Sequence, residues 1–162
     1  LHYLYTCFYR THVTGESVAR PLLHEFPLDS RARSLDTQFL LGPSLMVAPF
    51  LEFNQTKVNA YIPKDSMWYR MEAEFVSLAQ RTSSDSTVTI EDAESSRPLL
   101  FRAGYILPMV PEDRLPRKLN TATLRRVPID LWVLPNQTGS AVGDLYFDAG
   151  DSIDPVGKNT NG

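Results

Sequence analysis

The chain has 162 residues, 43% hydrophobic and 22% charged, with a formal net charge of -3; that is the make-up of one globular domain or slightly more, and it excludes a disordered tail. No basic block is present, so the electrostatic footprint of a nucleic-acid binder is missing. Cys7 is the single cysteine, which excludes an internal disulfide and a cysteine-built metal cage, and no stretch approaches the roughly 20 apolar residues of a membrane-spanning helix.

Leu1, Leu4, Tyr5, Phe8 and His12 recur at helical spacing and Gly15 stands where a helix stops, so the first residues read as a helix. It looks like a helix that has lost its beginning, and its wide aromatic face predicts packing against a sheet or barrel. The apolar runs Val18 to Phe26 and Phe39 to Val47, bounded by Gly or Pro, read as two buried strands. The polar connection Pro27 to Asp36 between them has room for a turn and a short helix. Lys57 to Ile62 alternates, a turn follows at 63–66, and Met67 to Met71 is a short aromatic strand, together the pattern of a hairpin. The stretch from Glu72 to Arg97 is polar, with a loop at 82–86 and an edge strand at Thr87 to Ile90. Pro98 to Pro108 reads as strand, Gly104 break, strand; Pro128 to Leu134 and Gly143 to Asp148 add two more. Twelve prolines, most at the edges of apolar runs, favour many short segments, and the regular spacing implies a β-sandwich.

Candidate chemistry is sparse. His2, His12 and His24 lie at spacings that suit no helical metal pair, and each reads as a packed or surface group. His24-Glu25 begins like a zinc-protease motif, but Leu28 stands where the second histidine belongs. Arg20-Pro21 places a guanidinium at a strand end, to pin Glu25, Asp29 or Asp36 or to touch substrate; the ion pair is the favoured reading. Asp148, Asp151 and Asp154 bunch around Gly150 without the further oxygens and terminal Glu of an EF-hand loop, and read as a turn with solvated acids. Trp68-Tyr69 is either a sugar-stacking platform or core, with core favoured. No Ser-His-Asp set, phosphate loop or Cys-His pair stands out, and no cofactor or metal is expected. Asn54-Gln55-Thr56 and Asn136-Gln137-Thr138 are N-glycosylation sequons, acceptors if the chain enters the secretory pathway with these residues at its surface.

An ordered set of motifs spans nearly the whole chain: Tyr3-Leu-Tyr-Thr6, Thr14-Gly-Glu-Ser-Val-Ala-Arg-Pro-Leu22, Glu25-Phe-Pro27, Asp36 through Gly42, Leu45-Met-Val-Ala-Pro49, Tyr61-Ile-Pro63, Trp68-Tyr69, Arg102-Ala-Gly-Tyr-Ile-Leu-Pro108 and Leu145-Tyr-Phe-Asp148. It resembles the C-terminal part of glycoside hydrolase family 31 α-glucosidases, thinning at 72–97 and 111–126. The sequence departs from the family pattern at His2, where a Pro starts the helix, at Arg70, where Asp follows the Trp-Tyr pair, and at Ala149, the second of a pair of acids.

The resemblance implies an α/β segment passing into all-β structure: residues 1–49 as the C-terminal end of a catalytic (β/α)8 barrel, 50–126 as a proximal β-sandwich, and 127–162 as the start of a distal β-domain. It implies a retaining enzyme that hydrolyses terminal α-linked glucose through one aspartate nucleophile and one aspartate acid/base. Both lie earlier in the family's barrel, and their motifs are absent here, so no residue of this chain is predicted to be catalytic. Arg20 and Pro21 are assigned a structural, barrel-closing role. An α-glucoside oligosaccharide would meet the protein through the missing barrel part, and the implied location is the secretory pathway, lysosomal, extracellular or membrane-anchored. The alternatives are a non-catalytic carbohydrate-binding β-module and a family homologue without activity.

Overall fold

The computed structural model describes residues 1–71, 76–79, 87–91, 97–115, 117 and 120–148. Helix α1 (His2–Thr14) leads into strand β1 (Ala19–Pro21) and a single helical turn α2 (Leu22–Glu25). Strands β2 (Phe39–Leu41), β3 (Leu45–Val47), β4 (Lys57–Tyr61), β5 (Trp68–Met71), β6 (Val76–Ala79), β7 (Thr87–Glu91), β8 (Leu99–Arg102) and β9 (Tyr105–Met109) follow. A short helix α3 (Thr121–Leu124) precedes β10 (Asp130–Leu134).

The central element is a six-stranded sheet in the order β1-β2-β3-β8-β5-β6, with every pairing antiparallel. Because side chains alternate across a strand, each face receives its own set. Leu40, Met46, Leu100 and Trp68 point to one face, where they pack with Ala60, Tyr61, Ile62 and Ile90 of the antiparallel β4–β7 ribbon and its end. Phe101 points to the other, with Leu45, Tyr69 and Leu99, against Leu107 and Leu134 of the β9–β10 ribbon and Tyr3 of α1. The sheet is thus the middle layer between two ribbons, and it is built from strands on both sides of positions 49 and 50.

Several expectations are corrected. The run from Val18 is a strand only to Pro21, after which the chain coils so that Leu22 enters the core and Glu25 turns back toward Arg20. The run from Phe39 is a hairpin, because Gly42 sits at φ 60 and Pro43 follows it, so that β2 and β3 pair with each other. Residues 57–62 and 67–71 do not form a hairpin: β4 takes β7 as partner while β5 lies between β8 and β6, the chain crossing layers through a turn with Asp65 at φ 57. Residues 143–148 form no strand. Only a bridge between Val142 and Tyr105 is present, and the segment lies along α1 with its side chains engaged there. The predicted loop at 82–86 and the acids Asp151 and Asp154 lie outside the described residues.

Helix α1 is also turned differently from its apolar spacing. Leu1, Tyr5 and Phe8 are 70%, 40% and 58% exposed, whereas His2, Thr6 and Cys7 are buried. The cause is the close approach of the helix to the β2–β3 turn: the Tyr3 hydroxyl donates to the Leu41 carbonyl at 2.7 Å and lies 2.8 Å from the Ser44 hydroxyl. A Cβ on Gly42 would lie 2.5 Å from the Tyr3 hydroxyl and 2.6 Å from the Cys7 sulfur. The helix ends at Gly15, φ 78, whose N–H donates to Thr11, and nothing lies within 4 Å of a Cβ there. Both glycines carry the left-handed penalty of roughly 1–2 kcal/mol for any other residue, but only Gly42 adds a steric clash, typically about 1–3 kcal/mol. Gly42→Ala is therefore expected to lower Tm and to speed amide exchange in α1. Gly15→Ala should cost only the backbone term, and equal effects from the two would refute the close-approach account.

Candidate functional site

A cluster of charged side chains lies at the start of the central sheet. Arg20, with a side chain 7% exposed, points from β1 toward α2. Its Nε donates to the Ser17 carbonyl at 2.6 Å, Nη1 to Glu25 Oε1 and Nη2 to Glu16 Oε2 at 2.7 Å. The second Glu25 oxygen accepts from Arg102 Nη1 of β8 at 3.0 Å, and that guanidinium lies 4.6 Å over the Phe26 ring. Burial pulls the Arg20 guanidinium down, but the hydrogen bonds and charges of Glu25 and Glu16 outweigh it and hold it above its usual value. The expected partner Glu25 is confirmed, with Glu16 and Arg102 added. Pro21 closes β1, which pairs only with β2, so its missing N–H costs no ladder bond.

A second constellation joins the 27–36 connection to β4. Asp29 Oδ1 accepts the N–H groups of Arg31 and Ala32, and Oδ2 accepts the Tyr61 hydroxyl at 2.7 Å and the Lys64 N–H at 3.0 Å. Burial pushes this carboxyl up; the bonds from Lys64, Tyr61, Ala32 and Arg31 outweigh that and hold it below its ordinary value. Nearby, the buried Gln38 amide binds the backbone of Tyr61 twice, Nε2 donating to its carbonyl at 2.9 Å and Oε1 accepting its N–H at 2.8 Å. A side chain thus replaces a neighbouring strand. Sequence spacing did not reveal Asp29–Tyr61, Gln38 or Arg102, since their partners lie 23 to 77 residues away.

The remaining candidates are spread out. Trp68 is fully buried, with its indole N–H on the Ser66 hydroxyl, and the half-buried Tyr69 donates its hydroxyl to the Pro135 carbonyl, so this pair serves the core. His12 and His24 are exposed; His2 is buried beside the Phe147 ring. Asn54 and Asn136 are exposed, each in a turn. Among the described residues no group of three or more His, Cys, Asp or Glu side chains is placed to hold a metal ion. A cavity of about 20 Å³ bordered by Tyr3, Cys7, Ser44 and Asp144 has room for about one water and none for a sugar ring.

Residues 144–148 strap α1 along the segment that follows the Val142–Tyr105 bridge to β9. Asp144 takes both a 2.8 Å bond from Arg10 Nε and one from its Nη2, Tyr146 stacks on Tyr9 at 3.7 Å, and the Tyr146 N–H donates to Thr6. Asp148 Oδ2 accepts the hydroxyls of Tyr5 and Tyr146. Burial and the Asp148 carboxylate push the Tyr146 phenol up to about 12.

Antiparallel β-layers behind a leading helix define a β-domain. The model of the glycosyl hydrolase family 31 C-terminal domain matches residues 15–107, and this chain belongs to that family. It is 37% identical over 156 residues to human intestinal sucrase-isomaltase and 38% identical over 167 residues to mouse lysosomal alpha-glucosidase, covering 96% and 94% of this chain. The chain spans only 8% and 17% of those relatives. A solved glucosidase II alpha subunit superposes with a TM-score of 0.80 at 26% identity, covering 94% of this chain and 16% of its own.

Two outcomes follow from the clusters. Arg20→Met leaves the part-buried Glu25 with Arg102 as its remaining arginine partner; a fall in Tm and folded yield is expected. For Asp29 the folded-state value lies below the ordinary 3.8, so its stabilisation is present above that value and is lost as the pH falls through the lower one. Asp29→Asn should melt below the parent at pH 7, by roughly 1–3 kcal/mol in stability, and the gap should narrow below pH 3.8. A gap independent of pH would rule out the ionised carboxylate as its source.

Proposed function

We propose that this chain is the structural C-terminal portion of a retaining α-glucosidase that releases terminal α-linked glucose from oligosaccharides. The observation that carries the reading is the match of residues 15–107 to the C-terminal domain of the family. The names of its relatives, an alpha-glucosidase and sucrase-isomaltase, support the substrate class. Retention needs two carboxyls about 5–5.5 Å apart, one free to attack and one to exchange a proton. Glu25 and Asp29 have their oxygens taken up by arginines, a tyrosine and backbone N–H groups. In this reading the catalytic pair comes from the larger part of a longer protein, and the exposed Leu1, Tyr5 and Phe8 of α1 face a barrel. The full burial of Trp68 removes the aromatic platform on which the carbohydrate-binding alternative relied.

The proposed organisation places 1–49 where the barrel ends, 50–126 in the proximal β-domain and 127–162 at the start of a distal one. The sheet shared by β1–β3 with β8 and β5 makes the first boundary a common layer rather than a linker. Arg20 and Pro21 brace that seam. The relatives are named lysosomal and intestinal, and with the two sequons this supports passage through the secretory pathway.

The full-length protein is expected to hydrolyse p-nitrophenyl α-glucoside, which releases one glucose per turnover, with the α-anomer of glucose appearing first by NMR. No turnover would favour the inactive homologue, and β-anomer first would exclude retention. Arg20→Met should reduce the amount of folded enzyme while leaving kcat/KM per folded molecule and linkage preference unchanged; a switch of preference at normal stability would contradict the structural role.

A further inference from the structure

The two sequons differ in what their residues do in the fold. In the turn between β3 and β4 the middle residue, Gln55, is the organiser: its Oε1 accepts the N–H groups of Leu51 at 2.8 Å and Glu52 at 3.0 Å, and its Nε2 donates to the Lys57 carbonyl. That stitching leaves Asn54, at φ 57, and Thr56 projecting from the turn, both exposed. The Asn54 side chain makes no hydrogen bond among the described residues. Beside it Phe53 is 95% exposed and Leu51 60%, an apolar step with no partner among the described residues. At the other sequon Asn136 is itself the organiser. Its Oδ1 accepts the Thr138 N–H, the Thr138 hydroxyl and the Ser140 N–H, and its Cβ and Nδ2 lie 3.6 and 3.8 Å from where a Cβ on Gly104 would stand.

We propose that Asn54 is an N-glycan acceptor and that the first sugar of the glycan lies over Phe53. The inference rests on the secretory reading above. The donor is an oligosaccharide carried on a lipid diphosphate: the Asn54 amide nitrogen forms the bond to the anomeric carbon and gives up one proton. The bond from that carbon to the diphosphate oxygen breaks, and the lipid diphosphate departs with the electron pair. An amide that holds no hydrogen bond in the fold loses none when glycosylated, and the apolar face of a sugar ring covers aromatic surface that otherwise stands in water.

The test uses the full-length protein in a eukaryotic host, once with its own leader and once with an added cleavable signal peptide, with lumenal entry scored by protease protection of microsomes. Peptide mapping after glycosidase digestion is expected to find Asn54 converted to Asp, and Asn54→Gln to remove one glycan from the intact mass. Unmodified Asn54 in lumen-protected protein overturns the proposal, as does a glycan on Asn136 alone. Protection only with the added signal overturns the secretory reading, while modification of Asn54 in that form upholds the acceptor. Phe53→Ser should abolish the rise in Tm that the glycan gives and leave the Tm of the deglycosylated protein nearly unchanged; a rise that persists in Phe53→Ser overturns the placement of the sugar.

Discussion

Glu25 is held between two guanidiniums from opposite parts of the central sheet, Arg20 on its outermost strand and Arg102 on a strand three positions in. The carboxylate sits on a helical turn of one revolution, so the geometry of α2, β1 and β8 is fixed by one group. A charge cluster this shielded is not a source of large net stability, because desolvation offsets most of the Coulomb attraction. What it imposes is position: any packing that separates the three leaves an uncompensated buried charge. The cation over Phe26 extends the same constraint into the apolar layer, since Phe26 borders the core around Trp68.

From that corner the layers follow. The sheet presents two apolar faces, and each is covered by a ribbon of two strands, one fastened by Gln38 and Asp29 to Tyr61, the other by the Tyr69 hydroxyl to Pro135. In each case a side chain takes the place of a backbone ladder where strands change layer. Buried polar groups of this sort cost little when fully paired and a great deal when not, which favours one arrangement of the ribbons over others.

Much of the fold was legible because short apolar runs bounded by Gly and Pro have few alternatives: β5, β8 and β10 lie in expected segments, and β7 and β9 run one residue past theirs. What misled was partnership. Residues 57–62 and 67–71 sit close in sequence and alternate, yet their partners were chosen by the layer each buries, information that no local window holds. On α1, Leu1, Tyr5 and Phe8 lie on the face turned away from the described β-layers. The stripe is apolar, but at Gly42 the helix meets the β2–β3 turn through the side chains of Tyr3 and Cys7. Residues 143–148 alternate like a strand and carry the family motif, but their alternation serves a helix. The polar clusters were legible only where partners are near, as with Arg20 and Glu25; Arg102, 77 residues from Glu25, was not.

The strap along α1 has a consequence for synthesis. Tyr146 and Thr6 are 140 positions apart, and a ribosome adding about 5–20 residues per second needs roughly 7–30 s to cover that distance. For that time the helix exists without the segment that fastens it, its aromatic side chains open to whatever folding helpers attend the nascent chain. The order of events is then set by the gene: the amino-terminal end of this region must wait for its carboxy-terminal end before it can be locked in place.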